Sequence, residues 1–519
     1  MHIGRRMRAL TLVLSVTVVR VIFARTLAAQ QPTSASAASP YVPVEHWTMP
    51  YVEHLIALGT IRDPTPLTRP LRRADLVAAL RAADTVRASV AIRRTVRRLL
   101  AEFRDPAGDH YRVQGSGGVA AATEPVRDPL AVGRGVPLLP MGPSRAFVSA
   151  DVALTAQFGP FVAATHPIED TRLRFDPQWY DSRRNGLRIA EAYLSAQGRY
   201  GEVFFGILDR NWGPSGIPGL LLSDNPYNLD HLYIRVGTPA LQIQAIATEL
   251  DPATDSTGAA VNRFMLQHRV YVHPRGRWSA ALWEGSMWSG VGRQAEPWYL
   301  NPLNVGLLVQ GYGAGNVNNL LGVDVERRGV TTLFAQLMLD DIQYERQVAT
   351  DLKPASYGLT LGAKGRVGGG VASWTAFYTQ VANLTYRNED DFQIPLFHGL
   401  GTGRNFADYD QATLKLGVLT PSGVLLQPEL TLLRQGEGDP RLPHPLPPAY
   451  PTTATLFQGV VERTWRMALG ADWHQGRWGV RGNGGVHFVS NAGHLQGASD
   501  TRWVGSVRVS YSITWEGRL

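Results

Sequence analysis

Between Arg145 and Trp515 the chain runs through roughly sixteen two-faced segments of strand length, and their connections alternate long and short throughout. Tight turns fall at Arg199-Tyr200-Gly201, Gly237-Thr238-Pro239, His273-Pro274-Arg275-Gly276, Arg327-Arg328-Gly329, Val367-Gly368-Gly369, Pro421-Ser422-Gly423 and His474-Gln475-Gly476. Between them lie long irregular stretches near 159–187, 210–230, 250–262, 286–318, 341–355, 384–410, 434–455 and 490–501. Up-and-down barrels that cross a membrane are connected this way, with short turns at one end and long loops at the other. A soluble sandwich has no reason to keep its long loops on one parity. The expected fold is an all-β transmembrane barrel of about 16–18 antiparallel strands, with a small N-terminal α-helical domain.

The period-two pattern supports this. In Ala146–Phe158 the apolar positions Val148, Val152 and Leu154 alternate with Ser149, Asp151 and Thr155. Val507, Val509, Tyr511, Ile513 and Trp515 alternate in the same way with Arg508, Ser510, Ser512 and Thr514. Segments such as Val203–Leu208 and Leu333–Leu339 are apolar on both faces, which predicts that part of the lumen is packed rather than water-filled. Backbone N–H and C=O groups in hydrocarbon must pair within the protein, so the sheet has to close. Trp278, Trp283, Trp288, Trp465, Trp473, Trp478, Trp503 and Trp515 near strand ends suit the aromatic girdles of such a barrel. Arg145 is expected at the periplasmic end of its strand, which turns every long loop outward.

The first 29 residues read as an export signal: Arg5, Arg6 and Arg8, then apolar Ala9 to Val19, then small Ala28-Ala29. Residues 30–39 are a linker. Over 40–105, Trp47, Tyr51, Leu55 and Leu58 recur at helical spacing up to Gly59. Leu76 and Leu80 mark a second helix, and Val96 and Leu99 a third. This domain is expected in the periplasm. Residues 106–144 form a Gly/Pro-rich connector with room for a first strand over Tyr111–Ala121, and 145–519 form the barrel. The net charge of +8 is spread along the chain, and Arg93-Arg94 with Arg97-Arg98 read as a solvated helix face, not a nucleic-acid site.

Signatures of catalysis are missing. The chain has no Cys, no His-Glu-x-x-His and no Gly-x-Ser-x-Gly elbow, so neither an enzyme, a metal site nor a cofactor is expected. Two long loops stand out instead. One holds Arg210, Asn211, Trp212, Asp224 and Asn225; the other holds Trp298, Tyr299 and Asn301. Aromatic faces beside amide, carboxylate and guanidinium groups are what a sugar needs, because a pyranose stacks one face on a ring and points its hydroxyls at planar polar partners. These eight residues are the candidate polysaccharide-binding set, expected together at the extracellular rim.

Arg210-Asn211-Trp212-Gly213-Pro214, with Leu220-Leu221-Leu222-Ser223-Asp224-Asn225-Pro226, resembles the signature of the capsule-assembly Wzi family. Trp298-Tyr299-Leu300-Asn301-Pro302, Asn319-Leu320-Leu321-Gly322-Val323-Asp324 and Leu339-Asp340-Asp341 follow in the same order. The resemblance implies an outer-membrane barrel of about eighteen strands with an N-terminal helical bundle, acting as a surface lectin for capsular polysaccharide. Within the helical domain, Val44-Glu45-His46-Trp47 and Pro70-Leu71-Arg72-Arg73-Ala74-Asp75-Leu76 are similar to one S-layer-homology repeat. Arg72 takes the Thr position and Asp75 the Glu position of that family's Thr-Arg-Ala-Glu motif. This second resemblance adds peptidoglycan-associated polysaccharide as a partner of the domain.

The expected function is capsule assembly or attachment without catalysis. Its partners are capsular or other surface polysaccharide, outer-membrane lipid and the outer-membrane assembly machinery. The alternative is a carbohydrate-selective outer-membrane porin tethered to the cell wall by the N-terminal domain.

Overall fold

The computed structural model describes residues 38–519, apart from 87, 105–107, 133–135, 137, 179–185, 310–316, 343–347 and 349–351. The export signal lies outside the described residues. Eighteen antiparallel strands close into a barrel. In chain order they are β1 (His110–Ala122), β2 (Ala146–Phe158), β3 (Phe161–Asp170), β4 (Leu187–Gln197), β5 (Gly201–Ile207) and β6 (Asp230–Thr238). Then come β7 (Leu241–Glu249), β8 (Ala260–Val272), β9 (Trp278–Val291), β10 (Val317–Arg327), β11 (Thr331–Asp341) and β12 (Ser356–Val367). The last six are β13 (Ala372–Val381), β14 (Tyr409–Leu419), β15 (Leu425–Gln435), β16 (Glu462–Gln475), β17 (Trp478–Ser490) and β18 (Ser499–Arg518). β18 pairs with β1 from Ser506↔Ala122 to Arg518↔His110 and closes the cylinder. No helix among the described residues is long and apolar enough to cross a membrane.

The two strands beyond sixteen are β1, inside the stretch read as a connector, and β3, inside one read as a long loop. The reason β3 escapes notice is its turn: only Gly159 and Pro160 separate it from β2, with Gly159 at φ +53°. This corrects one orientation. Arg145 stands at the long-loop end of β2, not the opposite one, and the parity of every later connection is unchanged.

Alternation along each strand sorts side chains between the outer wall and the lumen. Val148, Val152, Val203, Phe205, Leu282, Leu333, Met467, Leu469 and Val507 are exposed on the outer wall. Trp278, Trp465, Trp478, Trp503 and Trp515 are exposed there too, as a girdle requires. Trp283 is an exception: it points into the lumen, where its Nε1–H donates to Asp324 Oδ1 (2.9 Å). The strands apolar on both faces do pack inward, for Phe204, Phe334 and Met338 are buried while their neighbours Phe205, Leu333 and Leu337 face out.

The lumen is filled by segments from both ends. Helices α1 (Met49–Ala57), α2 (Arg73–Arg81) and α3 (Val90–Glu102) cap the short-turn end. Tyr51 Oη donates to the carbonyls of Gly423 (3.1 Å) and Asp472 (2.8 Å), and Trp47 stacks on His474 with centroids 3.7 Å apart. The arginine face of α3 stays solvated at Arg94 and Arg97, which are exposed, while Arg94 and Arg98 also donate to the carbonyls of Pro421 and His474 on the barrel turns. From this cap Tyr41 rises into the lumen, where its hydroxyl lies 2.9 Å from both carboxylate oxygens of Glu202. Leu67 and Thr68 follow, held by Arg269, whose Nη1 donates to Leu67 O (3.1 Å) and Nη2 to Thr68 Oγ1 (2.6 Å). From the other end residues 208–229 descend and bring Trp212, Leu220 and Leu222 into the same apolar core as Tyr41, Leu67 and Met265. Thr68 and Arg69 pair in a two-residue antiparallel ladder with Trp212 and Asn211, so the two intrusions join.

His54 links the cap to the wall, with Nδ1 2.8 Å from Ser373 Oγ, and burial pushes its imidazole down to about 4. The unfolded ring binds a proton below about 6.5 and the folded ring does not until about 4, so stability falls as pH drops through that window. The penalty at pH 5 is about 2 kcal/mol for a group this buried. The melting temperature in detergent should be lower at pH 5 than at pH 7, and His54→Gln should shrink that difference. An unchanged difference in the variant would remove His54 as its source.

Candidate functional site

The first candidate loop is not at the rim. Arg210 is buried in the lumen, with Nε–H donating to His231 Nε2 (2.7 Å) and its guanidinium over the rings of Tyr233 (4.1 Å) and Phe204 (4.6 Å). Asn211 spends its amide inside its own loop: Nδ2 donates to Ile217 O (2.9 Å) and Oδ1 accepts from Gly219 N–H (2.7 Å). Trp212 lies beneath the Arg269 guanidinium (4.2 Å), and its carbonyl accepts from Gln336 Nε2 (3.1 Å). The Trp-Gly-Pro turn is therefore part of the plug. Gly213 sits at φ +153° within 3.1 Å of Gly219 Cα, measured from where a Cβ would stand, so a side chain there would force the turn apart.

Asp224 and Asn225 lie nearer the open space. Asp224 is exposed. Asn225 Nδ2 donates to Gly401 O (3.0 Å), which ties this loop to the 382–408 loop. Its carbonyl accepts from Arg127, whose guanidinium lies 3.6 Å from the Tyr227 ring centre. Nearby Asp209 is pushed up to about 7 by burial and then by Glu45.

The second candidate loop is elsewhere altogether. Trp298, Tyr299 and Asn301 belong to a segment that lies on the outer wall of β8–β10, with Trp298 exposed and Tyr299 buried against Trp288 (5.0 Å). Asn301 Nδ2 donates to Asn304 Oδ1 (3.3 Å). The structure thus separates the eight candidates: three in the plug, two beside the lumen, three outside the barrel. Short loop motifs show which residues cluster in the chain but not whether a loop turns inward, upward or back down the wall.

A cleft that sequence reading missed lies on the inner wall beneath the long-loop end. It measures about 610 Å³, counting the part open to solvent, and is bounded by Glu124–Pro129, Arg172, Arg466, Asn483, His487 and Ser506 among others. It exists because the lumenal positions there are small. Ser506 pairs across from Asn483, and Ala468 from Gly485. Arg466 Nη1 meets both oxygens of Asp128 at 2.8 Å, and Arg172 reaches Asp170 at 2.6 Å. Burial alone would raise Asp128, but Arg466 and the Leu130 N–H outweigh it and hold the carboxyl low. Glu124 is raised by burial. Paired planar donors and acceptors with balanced charge suit a polyhydroxylated ligand more than a lone ion. Among the described residues no group of three or more His, Asp or Glu is placed to hold a metal ion.

The solved structure of Wzi, an outer-membrane protein of Escherichia coli involved in group 1 capsule assembly and described as a carbohydrate-binding β-barrel, matches this fold. The match covers 93 % of this chain and 99 % of that one, with a TM-score of 0.60 at 14 % identity. OpdK, an outer-membrane protein of Pseudomonas aeruginosa, covers 78 % of this chain and 99 % of its own, with a TM-score of 0.43 at 13 % identity. No protein-family model matches the sequence, and no curated protein matches it. At this identity the likeness to Wzi is one of fold.

The Arg466–Asp128 pair pins the 124–132 segment over the cleft. Arg466→Gln should raise amide exchange across that segment at a stability cost below about 1 kcal/mol, since Asp128 is half exposed. Unchanged exchange, read by mass spectrometry, would mean that other contacts hold the segment.

Proposed function

We propose that this chain is a non-enzymatic outer-membrane barrel that holds capsular or other surface polysaccharide on the cell. The observation that carries the reading is the likeness of fold to Wzi over nearly the whole of both chains. The long loops then face the cell exterior, and the helical domain is a periplasmic brace. The S-layer-like stretch supports bracing better than cell-wall binding, because its Leu71, Arg73 and Leu76 are buried.

In this reading the polymer enters the cleft between Arg466, Asn483 and Ser506, with Asn225 joined to its lining through Arg127. Affinity for a repeating chain is the sum of weak contacts over several units, so blocking the cleft matters more than removing one hydrogen bond. Arg210, Asn211 and Trp212 contribute by shaping the plug. Tyr386 Oη on Leu220 O and Ser223 Oγ on Gly403 O (2.6 Å) join this plug to the neighbouring loop, which favours a closed floor over a wide pore.

Ser506→Phe fills the cleft without touching the plug. Cells carrying it should release several-fold more polysaccharide into the medium, with barrel insertion unchanged. Wild-type retention both in this variant and in a strain lacking the protein would sink the proposal. In a planar bilayer the purified barrel should show no large steady currents; such currents would favour the porin alternative.

A further inference from the structure

The 292–309 segment leaves the long-loop end of β9 and returns down the outside of the barrel. Alternation fixes the side. Trp278 and Leu282 on β9 and Val270 on β8 are exposed on the outer wall, and Glu284, Ser286 and Trp288 continue the β9 row. His268 faces the same way, opposite Glu284, and Asn319 on β10 stands opposite Ser286. Four polar side chains thus occupy one patch of a wall that is otherwise apolar, at mid-strand. Polar groups turned toward hydrocarbon are unfavourable unless something satisfies them.

The returning segment does so. Glu284 accepts from the N–H groups of Gly306 (2.7 Å, Oε2) and Leu307 (2.9 Å, Oε1), and His268 Nε2 lies 2.9 Å from Glu284 Oε2. Ser286 Oγ donates to Asn319 Oδ1 (2.7 Å), and a Cβ on Gly306 would stand 2.1 Å from that hydroxyl. Tyr299 and Val309 bury Leu266, Trp288 and Val317 beneath them.

The segment's other surface has the character of the wall it hides. Residues 297–309 read Pro-Trp-Tyr-Leu-Asn-Pro-Leu-Asn-Val-Gly-Leu-Leu-Val, without one charged side chain. Trp298, Leu303, Val305, Leu307 and Leu308 are exposed on it. Its backbone is paired internally through two short helices, α4 (Pro297–Leu300) and α5 (Gly306–Val309). Leu300 N–H donates to Glu296 O (3.0 Å) and Val309 N–H to Val305 O (3.0 Å). Asn304 Nδ2 satisfies Trp298 O (2.9 Å), and Asn301 Oδ1 accepts from Leu303 N–H (3.1 Å). Internal pairing of this kind is what irregular backbone needs at membrane depth.

We propose that residues 297–309 form a re-entrant segment immersed in the membrane leaflet at the long-loop end, fastened to the barrel by Glu284 and packed on its outer face by lipid acyl chains. The segment restores an apolar belt where the strands themselves break it. Trp298, Tyr299 and Asn301 are then membrane-seating residues and take no part in binding polysaccharide.

The chain contains no cysteine, so single-cysteine variants report cleanly. Leu303→Cys and Leu307→Cys would carry a fluorescent label in vesicles of phosphatidylcholine brominated on the acyl chain. Leu282→Cys on the wall and Leu495→Cys in a long loop serve as hydrocarbon and aqueous references. The labels at 303 and 307 should be quenched like the one at 282 and several-fold more than the one at 495. Quenching no greater than at 495 would overturn the proposal. So would a covalent dimer through position 303 with loss of quenching, which would assign the face to a second copy of the chain. Gly306→Val, added to Leu303→Cys, should lower the quenching while the barrel keeps its heat-modifiable mobility on gels; undiminished quenching would remove Glu284 and Gly306 as the fastening.

Discussion

The pairing of the first barrel strand with the last governs everything else. A strand ladder inside a bilayer leaves no backbone group unpaired only when its ends meet, and here they meet along thirteen residue pairs between 506–518 and 110–122. Closure at eighteen strands encloses more space than inward side chains from the wall can fill. The interior must therefore be water or borrowed chain. This protein borrows: the N-terminal segment rises from one end, the 208–229 and 382–408 loops fold from the other, and the wall's second apolar face receives them. Strands such as β5 and β11 are apolar on both sides because both sides are dry, one against lipid and one against the plug.

The charged interior follows from the same packing. Inserted segments carry polar backbone into a low-dielectric space, and side chains of the wall must satisfy it. Arg269 serves Leu67 and Thr68, Gln336 serves Trp212 and Leu220, and Glu202 serves Tyr41. Lys364 reaches Ser215 at 2.5 Å, close to the opposite end from which that loop entered. These contacts give the plug a single seating. Where the wall carries Gly, Ala, Ser and Asn instead, along β16–β18, the 124–132 segment is held above it by Arg466 and the cleft remains beneath.

Much of the fold was legible in the sequence because its determinants are local. The period of two, the parity of connection lengths and the two-faced apolar strands each reflect a constraint acting within ten or fifteen residues. β3 was hidden by a two-residue turn inside what reads as loop. The candidate site was less legible. Arg210, Asn211 and Trp212 have the composition of a sugar platform, yet the plug buries all three and takes up the Asn211 amide and the Arg210 Nε–H. Trp298 and Asn301 share that composition and lie on the far side of the wall. Loop destination depends on pairings such as Asn211 with Arg69 or Gly306 with Glu284, and neither is announced by a pattern within the loop itself.

The small ladder between Thr68-Arg69 and Asn211-Trp212 joins chain that entered from opposite mouths. Each strand of it is anchored at its own end, one in the helical cap and one in the loops above. Chain from one mouth is therefore tied to chain from the other by backbone hydrogen bonds inside the barrel, and withdrawing either intrusion means breaking that ladder.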